Sequence, residues 1–543
     1  MIWFHQFAVL LAASGNPLRN YWDRITNGTF SGVYQANGFD LTIMLPYFVV
    51  LVILAAYGIH RYVLVYTYFK YRHRTPDKPA EPAKWPKVTI QLPVYNERYV
   101  IERLIETVAQ FDYPREELQI QVLDDSTDDT REVARDCVER HQALGVPIAY
   151  IHRANRRGFK AGALQEGLKT ATGEYVAIFD ADFLPPADFL RRTIPYFADE
   201  RLGMVQTRWS YINRHYSALT EVEAILLDGH FVVEHTARYR RGAFFNFNGT
   251  AGVWRREAIG DAGGWQHDTL TEDTDLSYRA QLRGWHFLYL PGIECPSELP
   301  VEMNAFKTQQ ARWAKGLMQT AKKILPRVLR ANVPGHVKAE AVFHLTANIS
   351  YPLMVLLSII LLPAMVVRFY QGWFQVLLID LPLFLASTCS ISSFYLVAER
   401  TLYPKSWTRT FLYLPFVMAV GIGLSVKNAV SVLEAIFGVQ SEFTRTPKYR
   451  IEGAGNTSWT RKKYRKRGGW MPYLEVALGL YFLATVGYAF QNQNYATIPF
   501  LLLFVWGYLY TGLMSLGQIT FERLRLGVKP AEVRPAATGA PGF

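Results

Sequence analysis

Five short segments of this 543-residue chain carry residue types at spacings that can do chemistry. Asp180-Ala181-Asp182 sets two carboxylates two residues apart, and hard oxygen ligands at that spacing suit Mg2+ or Mn2+ carrying a diphosphate. The plainer alternative is two solvated turn aspartates. Asp124-Asp125 can hydrogen-bond a nucleoside base or ribose, or belong to a helix-capping acidic run that continues to Asp129. Lys160 follows Arg156-Arg157-Gly158-Phe159 and can neutralise a phosphate, or stand as a surface cation. Thr271-Glu272-Asp273 offers a carboxylate to take a proton from an attacking hydroxyl, or else a helix-capping box. Gln309-Gln310-Ala311-Arg312-Trp313 puts an amide, a guanidinium and an indole on about one helical turn. Arg can grip a diphosphate bidentately and Trp can carry a sugar ring. The alternative is an interfacial helix anchored by its Trp beside a membrane.

Strand-like runs precede three of these segments. Residues 88–92, 118–123, 148–151 and 175–179 read as strands, the last of them fully apolar, and helical spacing separates them. Between the first two, Val100, Ile101, Leu104, Ile105 and Val108 repeat as one helix face, with Asn96 available as its cap. Alternating strands and helices predict a doubly wound parallel sheet, on which ligands sit beyond the carboxyl ends of the strands. Tyr95-Asn96-Glu97, Asp124-Asp125 and Asp180-x-Asp182 all fall at such ends.

The rest of the chain is built for a bilayer. Residues 41–59 are uncharged, and further apolar runs lie near 346–367, 374–396, 411–426, 473–490 and 496–518. None falls between about 88 and 342. The formal net charge is +12, and it sits beside the apolar runs: +4 in 70–87, +2 in 397–410, +7 in 438–470 and +2 in 519–543, leaving about −3 for everything else. The positive-inside rule puts those segments and the soluble domain in the cytoplasm, and nucleic acid is excluded as a partner because the soluble domain is not basic. With both 397–410 and 438–470 inside, 411–437 cannot cross once, so it is expected to be an interfacial or re-entrant helix. Aromatic residues at 14% and charged residues at 19% exclude a disordered chain. Three scattered cysteines, Cys137, Cys295 and Cys389, exclude a disulfide framework or a CxxC metal site. The stretch 1–14 lacks a basic start and is a poor signal peptide.

The expected order is an extracytoplasmic segment 1–40, a transmembrane helix 41–69, a catalytic domain 85–320 and interfacial helices 321–345. A transmembrane hairpin 346–397, the helix 411–437, a basic loop 438–470, a second hairpin 473–518 and a cytosolic tail 519–543 follow. The protein is expected to be multi-pass in an inner or plasma membrane.

Taken together, these motifs resemble a processive family 2 glycosyltransferase of the cellulose synthase superfamily, near the plant cellulose-synthase-like mannan and glucan synthases and their bacterial relatives. The likeness is carried by Asp124/Asp125, Asp180-x-Asp182, Thr271-Glu272-Asp273, Gln309-x-x-Arg312-Trp313 and Phe247-Asn248-Gly249-Thr250-Ala251-Gly252. Phe443-Thr444-Arg445-Thr446-Pro447-Lys448 fits the family's gating loop, Phe-x-Val-Thr-x-Lys, except that Arg445 replaces Val. The resemblance implies an α/β GT-A (Rossmann-like) cytosolic domain inserted in an α-helical transmembrane domain. It implies a nucleotide-sugar donor, UDP-glucose or GDP-mannose, bound by Tyr95, Glu97, Asp124, Asp125, Lys160, Asp180, Gln309 and Arg312. Asp180 and Asp182 would hold Mg2+ or Mn2+, and Asp273, with Glu272 beside it, would be the general base. Trp313, Gly249 and Thr250 would face the growing glycan acceptor, and Phe443, Thr446 and Lys448 would close over the donor. The implied product is a β-linked polysaccharide secreted through the protein's own channel, with accessory export subunits an open matter. Two rival readings are a transferase adding one sugar to a lipid, and an inactive membrane-bound binding protein or transporter.

Overall fold

A computed structural model describes residues 37–371, 377–441, 445–451 and 469–526. Strands β1 (Val88–Val94), β2 (Leu118–Asp124), β3 (Ile148–His152), β4 (Tyr175–Ile178), β5 (Leu202–Tyr211), β6 (Gly252–Arg255) and β7 (His286–Ser297) form one seven-stranded sheet in the order β3-β2-β1-β4-β6-β5-β7. The four strands legible in the sequence are mutually parallel. β6 runs antiparallel to both β4 and β5, so the sheet as a whole is mixed.

Both faces of the sheet are covered, which is why β4 reads as a continuous apolar run and why the polar Thr89 and Gln91 of β1 are buried as well. Helices Ile101–Ala109 and Thr130–Ala143 pack on one face and Phe159–Leu168 and Glu272–Leu282 on the other, with alternate residues of β4 pointing into each layer. Numbering all long helices along the chain, α1 is Gly38–Tyr71, α2 Ile101–Ala109, α3 Thr130–Ala143, α4 Phe159–Leu168 and α5 Ala218–Asp228. On α2, Ile101, Leu104, Ile105 and Val108 are all buried, as their spacing predicts. Its N-cap is Val100, with no side-chain cap bond. Asn96 is used differently from the expected cap. It takes φ +53°, its N–H donates to Ser126 Oγ at 2.8 Å, and its Oδ1 accepts the Thr127 N–H at 2.8 Å. Asn tolerates that left-handed backbone better than most residues. The result ties the ends of β1 and β2 together.

The register places Val94 of β1 opposite Asp124 of β2, and Asp124 opposite His152 of β3. The carboxyl ends of β1, β2 and β4 therefore open on one edge. On that edge, helix α6 (Glu272–Leu282) starts at Glu272, and the 28-residue helix α7 (Met303–Arg330) follows β7.

Beyond α7 the chain is helical: α8 (Gly335–Thr346), α9 (Ser350–Gln371), α10 (Leu377–Leu402), α11 (Thr410–Gly423), α12 (Ser425–Phe437), α13 (Met471–Gln491) and α14 (Ile498–Leu526). Among the described residues four helices are long and apolar enough to cross a membrane: Gly38–Tyr71, Gly335–Arg368, Met471–Gln491 and Tyr495–Gln518. The boundary expected at 346 falls where α8 passes through a single 3-10 turn, Ala347–Ile349, into α9. α11 and α12 meet at a bend of 43°, as one broken span or a re-entrant pair would. Residues 1–36 and 527–543, most of the expected terminal segments, lie outside the described residues.

Two ion pairs, the first fully buried, and a hydrogen bond lock α7 to the helices beyond it. Lys307 reaches Glu475 on α13 at 2.5 Å, Lys315 reaches Glu434 on α12 at 2.6 Å, and Lys427 donates to Thr308 Oγ1 at 2.9 Å. A second knot surrounds the buried Arg214, which meets Glu221 at 2.8 Å, Glu399 of α10 at 2.9 Å, and Asp228. Breaking one partner of such a cluster leaves an uncompensated buried charge. These contacts fix the sheet, and the helix that carries Arg312, against the apolar helices.

Candidate active site

One cleft opens at the shared strand edge. Its space, counted out through the open mouth, is about 1250 Å³. Fourteen residues singled out in the sequence line it: Tyr95, Glu97, Asp125, Lys160, Asp180, Asp182, Gly249, Glu272, Asp273, Gln309, Arg312, Trp313, Thr446 and Lys448. Asp124 and Thr250 stand behind it. Asp124 is fully buried, its Oδ1 accepting the Ser126 N–H at 2.8 Å and its Oδ2 the Tyr150 hydroxyl at 2.6 Å. That makes Asp124 a strut for the strand end rather than a group facing the cleft. Thr250 Oγ1 accepts the Asp180 N–H at 2.9 Å and so fixes the start of the Asp180-x-Asp182 turn. Phe443 lies outside the described residues.

Lys160 is the hub. It stands in the first turn of α4, entered through the left-handed Gly158, and its Nζ lies 2.5 Å from Asp180 Oδ1 and 2.9 Å from the Gly249 carbonyl oxygen. Gly249 has φ +79°, and a Cβ there would stand 3.1 Å from Asp273 Oδ2. Glycine is therefore required twice over, for the backbone and for the close approach of Asp273. Glu272 and Asp273 form the first turn of α6, where the helix dipole favours negative charge. The alternative of a capping box at Thr271 is not realised. Thr271 makes no cap bond, and its hydroxyl instead meets Thr320 at 3.0 Å on α7. At Gly316 of α7 a Cβ would fall 2.6 Å from Thr271 Cγ2, so the two helices touch there by backbone. That contact brings Asp273 to the helix bearing Gln309, Arg312 and Trp313.

The crowding of acids shifts their protonation. Burial pushes the Asp273 carboxyl up to about 7, and the neighbouring Glu272 charge adds to it. Glu272 is raised as well by burial, against the pull of Lys160. For Lys160 burial acts downward, but Asp180 and Glu272 outweigh it and the ammonium is held charged. A carboxylate poised near neutrality in a cleft, beside fixed cations, is what a general base needs.

Residues 445–451 lie across the mouth. Arg445 Nη1 is 2.6 Å from Glu97 Oε2, and Lys448 Nζ is 2.8 Å from Asp182 Oδ2 and also donates to the Glu298 carbonyl. The Tyr449 N–H donates to Glu298 Oε1 at 2.8 Å, and Tyr449 and Ile451 are buried against Val301. Arg445, the one departure from the loop pattern, thus has a partner in the cleft.

Sequence reasoning missed several further groups. Arg153 Nε binds Asp125 Oδ1 at 2.7 Å, and Arg156 lies 3.4 Å over the Tyr95 ring. Asn248 is held by His230 at 3.1 Å and by Gln206, whose Oε1 accepts the Asn248 N–H at 2.9 Å. A basic pair just past a strand end was the available signal for the two arginines. His230 and Gln206 give no local signal, because their partners are remote in sequence.

Asp180 and Asp182 are hard oxygen donors at one strand end, a set that fits Mg2+ or Mn2+ if a diphosphate supplies the remaining oxygens. Among the described residues no group of three or more His, Cys, Asp or Glu stands ready to hold a metal by protein ligands alone.

Residues 86–316 match the model of the family described as glycosyltransferase like family 2. The chain is 46% identical over 251 residues to glucomannan 4-beta-mannosyltransferase 1 of Oryza sativa subsp. japonica, covering 45% of this chain and 48% of that protein. It is 44% identical over 268 residues to glucomannan 4-beta-mannosyltransferase 2 of Arabidopsis thaliana, covering 48% of this chain and 50% of that protein. The chain thus spans about half the length of the curated relatives it matches. Among solved structures, a mannosyltransferase from Pyrobaculum calidifontis in complex with GDP-Man and Mn2+ aligns with a TM-score of 0.48 at 21% identity, over 72% of this chain and 99% of that one. Residues 86–316 thus carry a match to the glycosyltransferase family 2 domain, and over that stretch the chain is similar to plant glucomannan 4-beta-mannosyltransferases.

Proposed function

We propose that the protein is a membrane-embedded inverting glycosyltransferase that builds a β-linked polysaccharide from a nucleotide-diphospho-sugar, GDP-mannose or UDP-glucose. The observation that carries this reading is the meeting of Lys160, Asp180, Gly249 and Asp273 within one cleft that Arg312 and Trp313 also line. Asp273 takes the proton of the acceptor hydroxyl. The oxygen attacks the anomeric carbon from the face opposite the diphosphate, the carbon–oxygen bond to the diphosphate breaks, and the bonding pair leaves with it. Lys160, Arg312 and Lys448 offset the charge that develops there. Asp180 and Asp182 would hold the Mg2+ or Mn2+ whose charge further stabilises the leaving diphosphate. Trp313 supplies a face for the acceptor sugar.

A second cavity, about 1670 Å³, lies among α1, α8 to α11 and α14, lined by Tyr57, Arg61, Tyr351, Tyr395 and Phe504 among others. Rings interleaved with polar groups suit a sliding glycan, which supports export through the protein itself from a cytosolic active site, across an inner or plasma membrane. The names of the plant relatives favour a mannosyl product. The test is incubation of the full chain in nanodiscs with GDP-mannose and UDP-glucose, each with Mg2+ or Mn2+, followed by sizing of the product. A β-linked polymer is expected. A single added sugar on lipid would replace the processive reading, and no transfer from either donor would overturn the function.

A further inference from the structure

Consecutive residues of α5 face different cavities. Leu227 lines the strand-edge cleft, and Leu226 lines the second cavity. The chain runs on from α5 into a π-helical stretch, Gly229–His235, and then the short helix Thr236–Arg241. Such wide turns are rare and often mark functional sites. Gly229 lets this stretch press on α10, since a Cβ there would stand 2.5 Å from Phe394 Cε1. Residues 226–238 thus form part of the wall between the two cavities, and His230 sits within it.

His230 bridges that wall. Its Nδ1 donates to Glu234 Oε2 at 2.9 Å, and its Nε2 donates to Asn248 Oδ1 at 3.1 Å. Glu234 lines the second cavity and Asn248 lines the cleft. Glu234 is anchored in turn by Arg238 at 3.5 Å, Arg238 by Glu340 of α8 at 2.9 Å, and Glu340 by His60 of α1 at 3.0 Å. Burial pushes the Glu234 carboxyl up, but Arg238 and His230 outweigh it and hold it below its usual range, so it stays an acceptor only.

The row ends on the amide of Asn248. Its Oδ1 accepts from His230 and, at 3.2 Å, from Asn246 Nδ2, while its Nδ2 donates to the buried His235 Nε2 at 2.7 Å. An amide oxygen takes two hydrogen bonds and an amide nitrogen gives two, so one Asn248 N–H is left for a partner in the cleft. Asn248 directly precedes Gly249, where a Cβ would stand 3.1 Å from Asp273 Oδ2. The remaining N–H therefore belongs to the residue next to the one that the base approaches.

We propose that His230, backed by Glu234, is a positioning residue for sugar transfer: it fixes the Asn248 amide so that the remaining N–H receives an oxygen of the terminal acceptor sugar, beside the attacking hydroxyl. This inference rests on the reading of the cleft as a glycosyl-transfer site. Asp273 takes the proton, and Asn248 holds the sugar so that its hydroxyl, and not a water, faces the donor. When the amide is loose, water competes. It attacks the anomeric carbon, gives its proton to Asp273, and the bond to the diphosphate breaks to leave free sugar and nucleoside diphosphate.

The experiment follows two products of the full chain in nanodiscs, with GDP-mannose and UDP-glucose in Mn2+: nucleoside diphosphate released, and labelled sugar carried into glycan. In the unaltered protein the two should agree for the donor that is used. In His230→Phe, with folding checked by melting, incorporation should fall about tenfold or more while the donor KM stays within about twofold. The share of released nucleotide unmatched by glycan should rise. Asn248→Ala should do the same, and the double variant should be no worse than the worse single, because both remove one arrangement. His230→Gln, whose amide has two N–H groups for the same two acceptors, should recover part of the transfer. Full incorporation by folded His230→Phe, or losses that multiply in the double variant, would overturn the inference and leave the transferase reading standing. If His230→Phe does not fold, full incorporation by Asn248→Ala overturns it. Absence of both products from the unaltered protein with either donor would remove that reading, and the inference with it.

Discussion

The raised carboxyl of Asp273 makes a quantitative prediction about pH. An ordinary aspartate, near 3.8, would be fully ionised from pH 5 upward, and the rate would be flat over that range. With its carboxyl held at about 7, Asp273 carries its proton well into the neutral range. A base must be deprotonated to act, so kcat/KM, which reports the free enzyme, should fall as pH drops below about 7, to roughly a tenth of its plateau at pH 6 and roughly a hundredth at pH 5. Burial is the larger cause and Glu272 the next, so Glu272→Gln tests the assignment without touching the base itself. Removing that negative charge stabilises the Asp273 carboxylate, and the acid limb should move to lower pH, with the rate at pH 6 rising relative to the plateau. The assay is initial-rate transfer from the donor between pH 5 and 8 at constant ionic strength. A flat profile down to pH 5 in the unaltered protein, or a limb that stays in place or moves up in Glu272→Gln, would refute the reasoning.

Asp180→Ala should weaken donor binding in Mn2+ by about tenfold or more, and should shrink the difference between titrations with and without the ion. It also deprives Lys160 of its 2.5 Å partner. Gly249→Ala forces a left-handed alanine and sets a methyl 3.1 Å from Asp273 Oδ2, so it should cost about 1–2 kcal/mol of stability and lower kcat more than it alters donor affinity, checked by melting and by kinetics. Arg214→Met strands Asp228 and Glu399 in the interior and should destabilise the protein by about 3–5 kcal/mol, read as a loss of folded protein in detergent, whereas exposed Arg135→Met should be near neutral.

The parts of the site legible in the sequence share one physical cause. Asp180-x-Asp182, Asp125 and Glu97 end parallel strands, and parallel strands deliver their ends to one edge whatever lies between them. β5, β6 and β7 were not legible. β7 runs through Pro291, Gly292 and Pro296, residues that argue against a strand, and β6 is four residues long and begins with glycine. Asn96 shows the limit of local capping rules: its side chain serves a neighbouring strand 31 residues away rather than the helix that follows it. Thr271 likewise fits a capping pattern but is spent on α7. Asp124 and Asp125 were alike in the sequence. Strand alternation turns the first inward to Tyr150 and the second to the cleft, a difference that needs the register to see. The ion pairs of Arg445 with Glu97 and Lys448 with Asp182 join residues more than 250 positions apart, and no spacing rule reaches that far.

The central claim is that Asp273 deprotonates the acceptor in a cleft that binds the donor by other groups. Asp273→Asn, nearly isosteric, separates the two. Donor binding by calorimetry and glycan formation from labelled donor should be measured on the same nanodisc preparation. The account predicts affinity within about twofold of the unaltered protein and transfer reduced by about 10²–10⁴-fold or lost. Undiminished glycan formation by Asp273→Asn would contradict it.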